Sequence, residues 1–183
     1  MPYGLQSIDQ TKQARALKGG IKRLIQQELE DGMDPWWFIS FHYNDGKTNE
    51  NQVIKDMADL KNKLKREIYR RRDKRIKGAG SFPYPKILVM NEVSHLGTGQ
   101  FHSHLIIEAF PEKLNSQRMT ELLFKRILPS KVKALSRWKS IDVQRIHQDP
   151  KDLKRLASYL GKQVDLDYVA LDGFNSDFSK EER

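Results

Sequence analysis

Two apolar runs, Lys86–Val93 (KILVMNEV) and Phe101–Phe110 (FHSHLIIEAF), constrain the fold of this chain more than any other feature. Between them, Leu96-Gly97-Thr98-Gly99 reads as a short turn. Branched side chains pack well on a pleated surface, and glycine takes up hairpin-turn angles without steric strain. The two runs are therefore expected to pair as an antiparallel hairpin. Lys86–Val93 is apolar at nearly every position, which predicts a strand covered on both faces. Phe101–Phe110 alternates instead. Phe101, Ser103, Leu105, Ile107 and Ala109 fall on one face, able to lie under helices, while His102, His104, Ile106, Glu108 and Phe110 fall on the other.

The flanking sequence supplies the rest of the layers. A helix over about 9–31 is expected from Ala14, Leu17, Ile21, Leu24, Ile25 and Leu29, with Gly32 as its stop. Trp36–Tyr43, bounded by Pro35 and Asn44-Asp45-Gly46, reads as a strand. Val53, Met57, Leu60, Leu64 and Ile68 mark the buried stripe of a long helix. A third helix from about Ser116 to Pro129 should turn Met119, Leu122, Leu123 and Ile127 inward. Ser140–Ile146 is expected to be a fourth strand, and Asp149-Pro150 to open a last helix with Asp as N-cap and Pro at N1. The order α, β, α, β, β, α, β, α predicts an α+β fold, a central antiparallel sheet with helices packed mainly on one face. At 183 residues the chain is expected to be one domain, with a core over about 36–165 and a short tail over 166–183.

Charge narrows the partner. Lys and Arg number 33 against 24 Asp and Glu, a formal net charge of +9, which suits a polyanion. The far end of the second helix concentrates it in Lys63, Lys65, Arg66, Arg70, Arg71, Arg72, Lys74, Arg75 and Lys77, with few acids to offset them. Such a run is often a solvated helix face; here a phosphate-facing end is favoured. There are no cysteines, which excludes disulfides and thiolate zinc sites. No apolar run approaches the roughly 18 residues of a membrane span, and the N-terminus lacks a signal-peptide pattern, so a soluble, cytoplasmic protein is expected.

His102 and His104 stand on one face about 6–7 Å apart along the strand, a spacing that lets both imidazoles converge on one ion. A third ligand is needed, and Glu92 on the partner strand is the preferred candidate, ahead of His95 and Asn91. Glu108 has the right parity but lies about 13 Å further along. In the last helix Leu153, Leu156, Ala157 and Leu160 form the buried stripe. Tyr159 stands at its border, with Arg155, Lys162 and Gln163 on the same side. Positive charge nearby favours a phenolate, which a tyrosine of ordinary pKa near 10 otherwise reaches poorly at neutral pH.

Taken in order, FISFHY, His102-Ser103-His104 followed by Leu-Ile-Ile, and Leu156-Ala-Ser-Tyr159-Leu160-Gly-Lys162 resemble three blocks of the HUH endonuclease superfamily, over roughly residues 36–165. Ser103 departs from the bulky apolar residue usual between the histidines. A single tyrosine in the last block, placed after the metal block, is similar to the one-tyrosine rolling-circle replication initiators (Rep proteins), including those of plasmids, rather than to conjugative relaxases.

The resemblance implies a sequence-specific nuclease that nicks and rejoins single-stranded DNA at a replication origin. It implies Mn²⁺ or Mg²⁺ held by His102, His104 and Glu92, and Tyr159 as nucleophile forming a 5′-phosphotyrosine. Lys162 would orient the phosphate or steady the phenolate. Arg155, Gln163, Arg70, Arg71 and Arg72 would contact DNA, and Trp36, Trp37 and Trp138 are candidate stacking platforms, although core positions are favoured for each of them. No nucleotide-binding motif follows, which implies a separate helicase. A one-tyrosine transposase and a non-catalytic basic DNA-binding module are the alternatives. A cupin-like metalloenzyme also fits His102-X-His104-X3-Glu108, but Leu96 and Asn115 stand where that family expects glycines.

Overall fold

A computed structural model describes residues 16, 18–44, 48–68, 84–93, 100–132, 137–147, 149–165, 169–171 and 176–177, with backbone alone at 93, 161–165 and 169–171. Helix α1 covers 18–27 and ends in a π-helical turn, Glu28–Gly32. Then follow β1 (Pro35–Tyr43), α2 (Glu50–Ile68), β2 (Ile87–Val93), β3 (Phe101–Glu108), α3 (Gln117–Leu122, continuing as a π-helical turn Leu123–Ile127), β4 (Trp138–Arg145), α4 (Pro150–Asp165) and β5 (Val169–Leu171). The fold is α+β, an antiparallel sheet in the order β4-β1-β3-β2-β5 with helices packed on it. An all-β barrel, and with it the cupin-like reading, is excluded. No described helix is long and apolar enough to cross a membrane.

Helices cover both faces rather than mainly one. The larger core joins α2 (Val53, Met57, Leu60, Leu64) and the α3 segment (Leu123, Phe124) to the odd-numbered side chains of β1, β2 and β3: Trp37, Ile39, Phe41, Ile87, Val89, Leu105 and Ile107. A second core joins Ile25 and Leu29 of α1 and Leu160 of α4 to Leu88, Met90 and Ile106 on the reverse face. The unbroken apolar run of β2 is the sequence trace of this arrangement, since Ile87 and Val89 enter one core and Leu88 and Met90 the other.

Other expectations shift locally. Leu122 is exposed, because the inward stripe of the third helix is Thr120, Leu123, Phe124 and Leu128, and Met119 is half-buried. Phe110 lies past the end of β3 and joins the α2-side core, stacked on Trp37 at 6.3 Å, instead of sharing a face with the histidines. Part of the expected tail forms β5, which pairs with the edge of β2. Asp149 caps α4 as expected, and Ser116, expected only as the start of the third helix, caps α3. Ser116 accepts from the Met119 amide at 3.3 Å and Asp149 from the Lys151 amide at 2.7 Å.

The α2 side carries a buried charge. Asp56 is 3% exposed and accepts from Arg137 Nε at 2.8 Å, from Arg137 Nη2, and from Gln52 at 2.8 Å. The carboxylate raises the Arg137 pKa further. Nearby, burial pushes the Tyr43 phenol well above its usual range.

Candidate functional site

The cross-strand register lays the site out in rows. Ser140, His42, His102 and Glu92 are successive partners across β4, β1, β3 and β2. The next row is Asp142, Ser40, His104 and Met90, and the next Gln144, Phe38, Ile106 and Leu88. All of these lie on the face that α1 and α4 cover, because paired residues share a side of the sheet. The covering helices bury the apolar end at Leu88, Met90 and Ile106. Toward the histidines the sheet opens into a cleft of about 680 Å³.

Helix α4 forms the opposite wall. Asp152, Leu156 and Tyr159 recur at intervals of four and three, so they make one stripe along the helix, and all three line the cleft. Leu153, Leu156 and Ala157 pack against the second core and Leu160 is buried in it. That packing leaves Tyr159 at the border, 44% exposed. Tyr159 thus shares one cleft with His102, His104 and Glu92.

Around His104 the contacts are specific. Its Nε2 lies 3.1 Å from Glu92 Oε2, its Nδ1 lies 2.9 Å from Ser40 Oγ, and Phe38 stacks on the ring at 5.2 Å. Ser40, Glu92 and His104 are all buried. A serine hydroxyl both donates and accepts, so it can serve either imidazole tautomer. With the proton on Nε2, His104 donates to Glu92 and accepts from Ser40; with the proton on Nδ1 it donates to Ser40 and leaves an Nε2 lone pair facing the cleft.

His102 sits beside His42, ring centroids 4.4 Å apart and edge to face. Burial first, and then the neighbouring His104, lower the His42 pKa, which favours its neutral form. His42 was not a sequence candidate. Its parity matches Phe38 and Ser40, but its place next to His102 depends on β1 pairing with β3, and the sequence does not show which strands are neighbours.

The donor chemistry suits a divalent cation. Two ligands each about 2.1 Å from an octahedral ion stand about 3 Å apart, which is the separation of His104 Nε2 and Glu92 Oε2. His102 is the direct cross-strand partner of Glu92. Among the described residues no three His, Asp or Glu side chains converge closely enough to enclose an ion.

The other sequence candidates separate clearly. Asn91 faces the α2 side, where it accepts from Ser103 at 2.7 Å, and so cannot be a ligand. Glu108 is far along β3, accepting from the amides of Asp34 at 3.2 Å and Lys86 at 2.8 Å. Arg155 is exposed and pairs with Asp152 at 3.3 Å. Trp37 and Trp138 are core, while Trp36 is partly buried at the sheet margin. His95, Arg70, Arg71, Arg72 and the side chains of Lys162 and Gln163 lie outside the described residues. Besides His42, the cleft gains Ser40, Arg145, His147 and Asp152, none of them singled out from sequence.

Family models, curated proteins and solved structures contain no match to this chain.

Proposed function

We propose that this chain is a metal-dependent endonuclease and strand transferase that cuts single-stranded DNA through Tyr159. The observation that carries the reading is the common cleft of Tyr159, His102, His104 and Glu92. A site of this kind needs a nucleophile on one wall and oxygen- or nitrogen-donor ligands on the other, with room for a backbone phosphate between them. The cleft meets that description, and the net charge of +9 favours a polyanionic substrate.

His102, His104 and Glu92 would hold Mn²⁺ or Mg²⁺, the imidazoles favouring Mn²⁺. When bound, the ion would polarise a non-bridging phosphate oxygen. The Tyr159 oxygen attacks phosphorus and gives up its proton, and the bond from phosphorus to the 3′ oxygen breaks. The 3′ oxygen leaves as a hydroxyl on taking up a proton, and the 5′ side stays on Tyr159 as a phosphodiester. Because one phosphodiester replaces another, the reverse attack by the 3′-hydroxyl rejoins the strand. A 3′-hydroxyl end can prime synthesis, so initiation of rolling-circle replication at an origin, with a separate helicase, is the role this chemistry fits.

Incubating the protein with Mn²⁺ and a pool of random-sequence single-stranded oligonucleotides tests the reading. Wild type should give a slower-migrating band on a denaturing gel, lost on adding EDTA and absent in Tyr159→Phe. The same band from Tyr159→Phe would refute the nucleophile.

A further inference from the structure

Resting on the reading of the cleft as a nuclease site, we infer that its end away from the histidines holds the base of a nucleotide flanking the cut, and that Gln144 selects there for a base with an exocyclic amino group. The cleft has two unlike ends. His42, His102 and Glu92 share one row of the sheet, and the cross-strand pair Phe38 and Gln144 stands two rows along it, about 13 Å away. Helix α4 opens at Pro150, soon after β4 ends at Arg145, so its first turn, with Asp152, stands over this second end.

The floor here is apolar. Phe38, Ile146 and Leu156 line it and belong to, or pack against, the second core. Phe38 also stacks on His104 at 5.2 Å, which joins this floor to the histidine end. Such a floor takes the flat face of a base and offers a phosphate no donor. The rim, by contrast, is rich in acceptors. Gln144 Nε2 donates to Asp142 Oδ2 at 2.5 Å. A carboxylate only accepts, so the amide nitrogen must face Asp142 and the amide oxygen is turned away from it. On the helix wall the Asp152 carboxylate meets exposed Arg155 at 3.3 Å and keeps lone pairs for other donors. Arg145 is the one Lys or Arg among the described lining residues, and its charge is turned away. It pairs with Trp37 in the register and rests its guanidinium on Trp36, 4.6 Å from the ring centroid, on the α2 side. This end therefore disfavours phosphate and favours an uncharged N–H donor. An exocyclic amino group has two N–H donors and can bridge the Gln144 oxygen on the sheet and the Asp152 carboxylate on the helix. Adenine and cytosine carry such a group, whereas thymine and uracil present a carbonyl there.

The test is fluorescence anisotropy with labelled oligo(dC) and oligo(dU) of equal length at neutral pH, in a Tyr159→Phe background so that no strand is cut. The two bases share one ring frame and differ in the exocyclic group. Oligo(dC) should bind about 3–10-fold more tightly, the effect of one additional hydrogen bond. Gln144→Leu should bring the ratio to within about twofold of unity by weakening oligo(dC) binding, with oligo(dU) binding nearly unchanged. Asp152→Ala should lower the ratio in the same direction. Equal affinity for the two oligonucleotides, or a ratio that survives Gln144→Leu, overturns the assignment. Equal weakening of both by Gln144→Leu marks a general contact and overturns it too. The nuclease reading is scored separately by the covalent band of the otherwise wild-type protein. A band without base discrimination sinks this inference alone, and discrimination that depends on Gln144 with no band sinks the nuclease alone.

Discussion

Replacing Ser40 by alanine should weaken binding of a divalent ion far more than it weakens the fold. The Ser40 hydroxyl lies 2.9 Å from His104 Nδ1, and the opposite ring nitrogen lies 3.1 Å from Glu92. To ligate through Nε2, His104 must carry its proton on Nδ1, where the serine oxygen accepts it. Alanine removes that acceptor, and in a buried setting nothing described replaces it. Loss of such a supporting partner lowers metal affinity by roughly 10–100-fold, or about 1.4–2.7 kcal/mol. The stability loss should be that of one neutral hydrogen bond, about 1 kcal/mol, a Tm decrease of roughly 2–4 °C. Isothermal titration of Mn²⁺ into each metal-free protein measures the first quantity, and thermal melts in EDTA measure the second. Equal Mn²⁺ affinity for wild type and Ser40→Ala, whatever the Tm, would refute the tautomer argument.

Two further predictions concern the fold and its titration. Arg137→Ala leaves the Asp56 carboxylate buried with Gln52 as its remaining donor among the described residues, and should cost roughly 3–5 kcal/mol in urea unfolding. Asp56→Asn frees the partly exposed Arg137 to turn to water and should cost less, about 1–3 kcal/mol; the reverse order would contradict the burial argument. The His42 pKa lies below 6.5 in the folded protein, so as pH falls through that value the unfolded chain takes up the proton first and stability declines. In EDTA, the Tm loss between about pH 7.5 and about pH 5.5 should be smaller in His42→Gln than in wild type, and an equal loss would contradict it.

The parts of the molecule set by local pattern were legible in the sequence. Alternation in β3 puts His102 and His104 on one face, and the hairpin register brings Glu92 opposite them. The α2 stripe from Val53 to Leu64 is buried, and the α4 stripe packs as its spacing implies, leaving Tyr159 at the edge. What was not legible depends on which strands are neighbours. Only the β1–β3 pairing turns His42 and Ser40 into site residues, and FISFHY by itself reads as a structural strand. The α1–α4 core was hidden for a related reason. Leu88 and Met90 announce a second covered face, but nothing local says that helices from opposite ends of the chain cover it. A three-residue strand such as β5 is too short to show alternation.

The most direct measurement is the mass of the protein after reaction with single-stranded DNA and Mn²⁺, followed by nuclease trimming and peptide mapping. The nucleotide adduct should fall on the α4 peptide containing Tyr159, joined through phosphate to its phenol oxygen. An adduct on any other tyrosine, or cut DNA with no adduct at all, would contradict the assignment of Tyr159 as the nucleophile opposite the histidines.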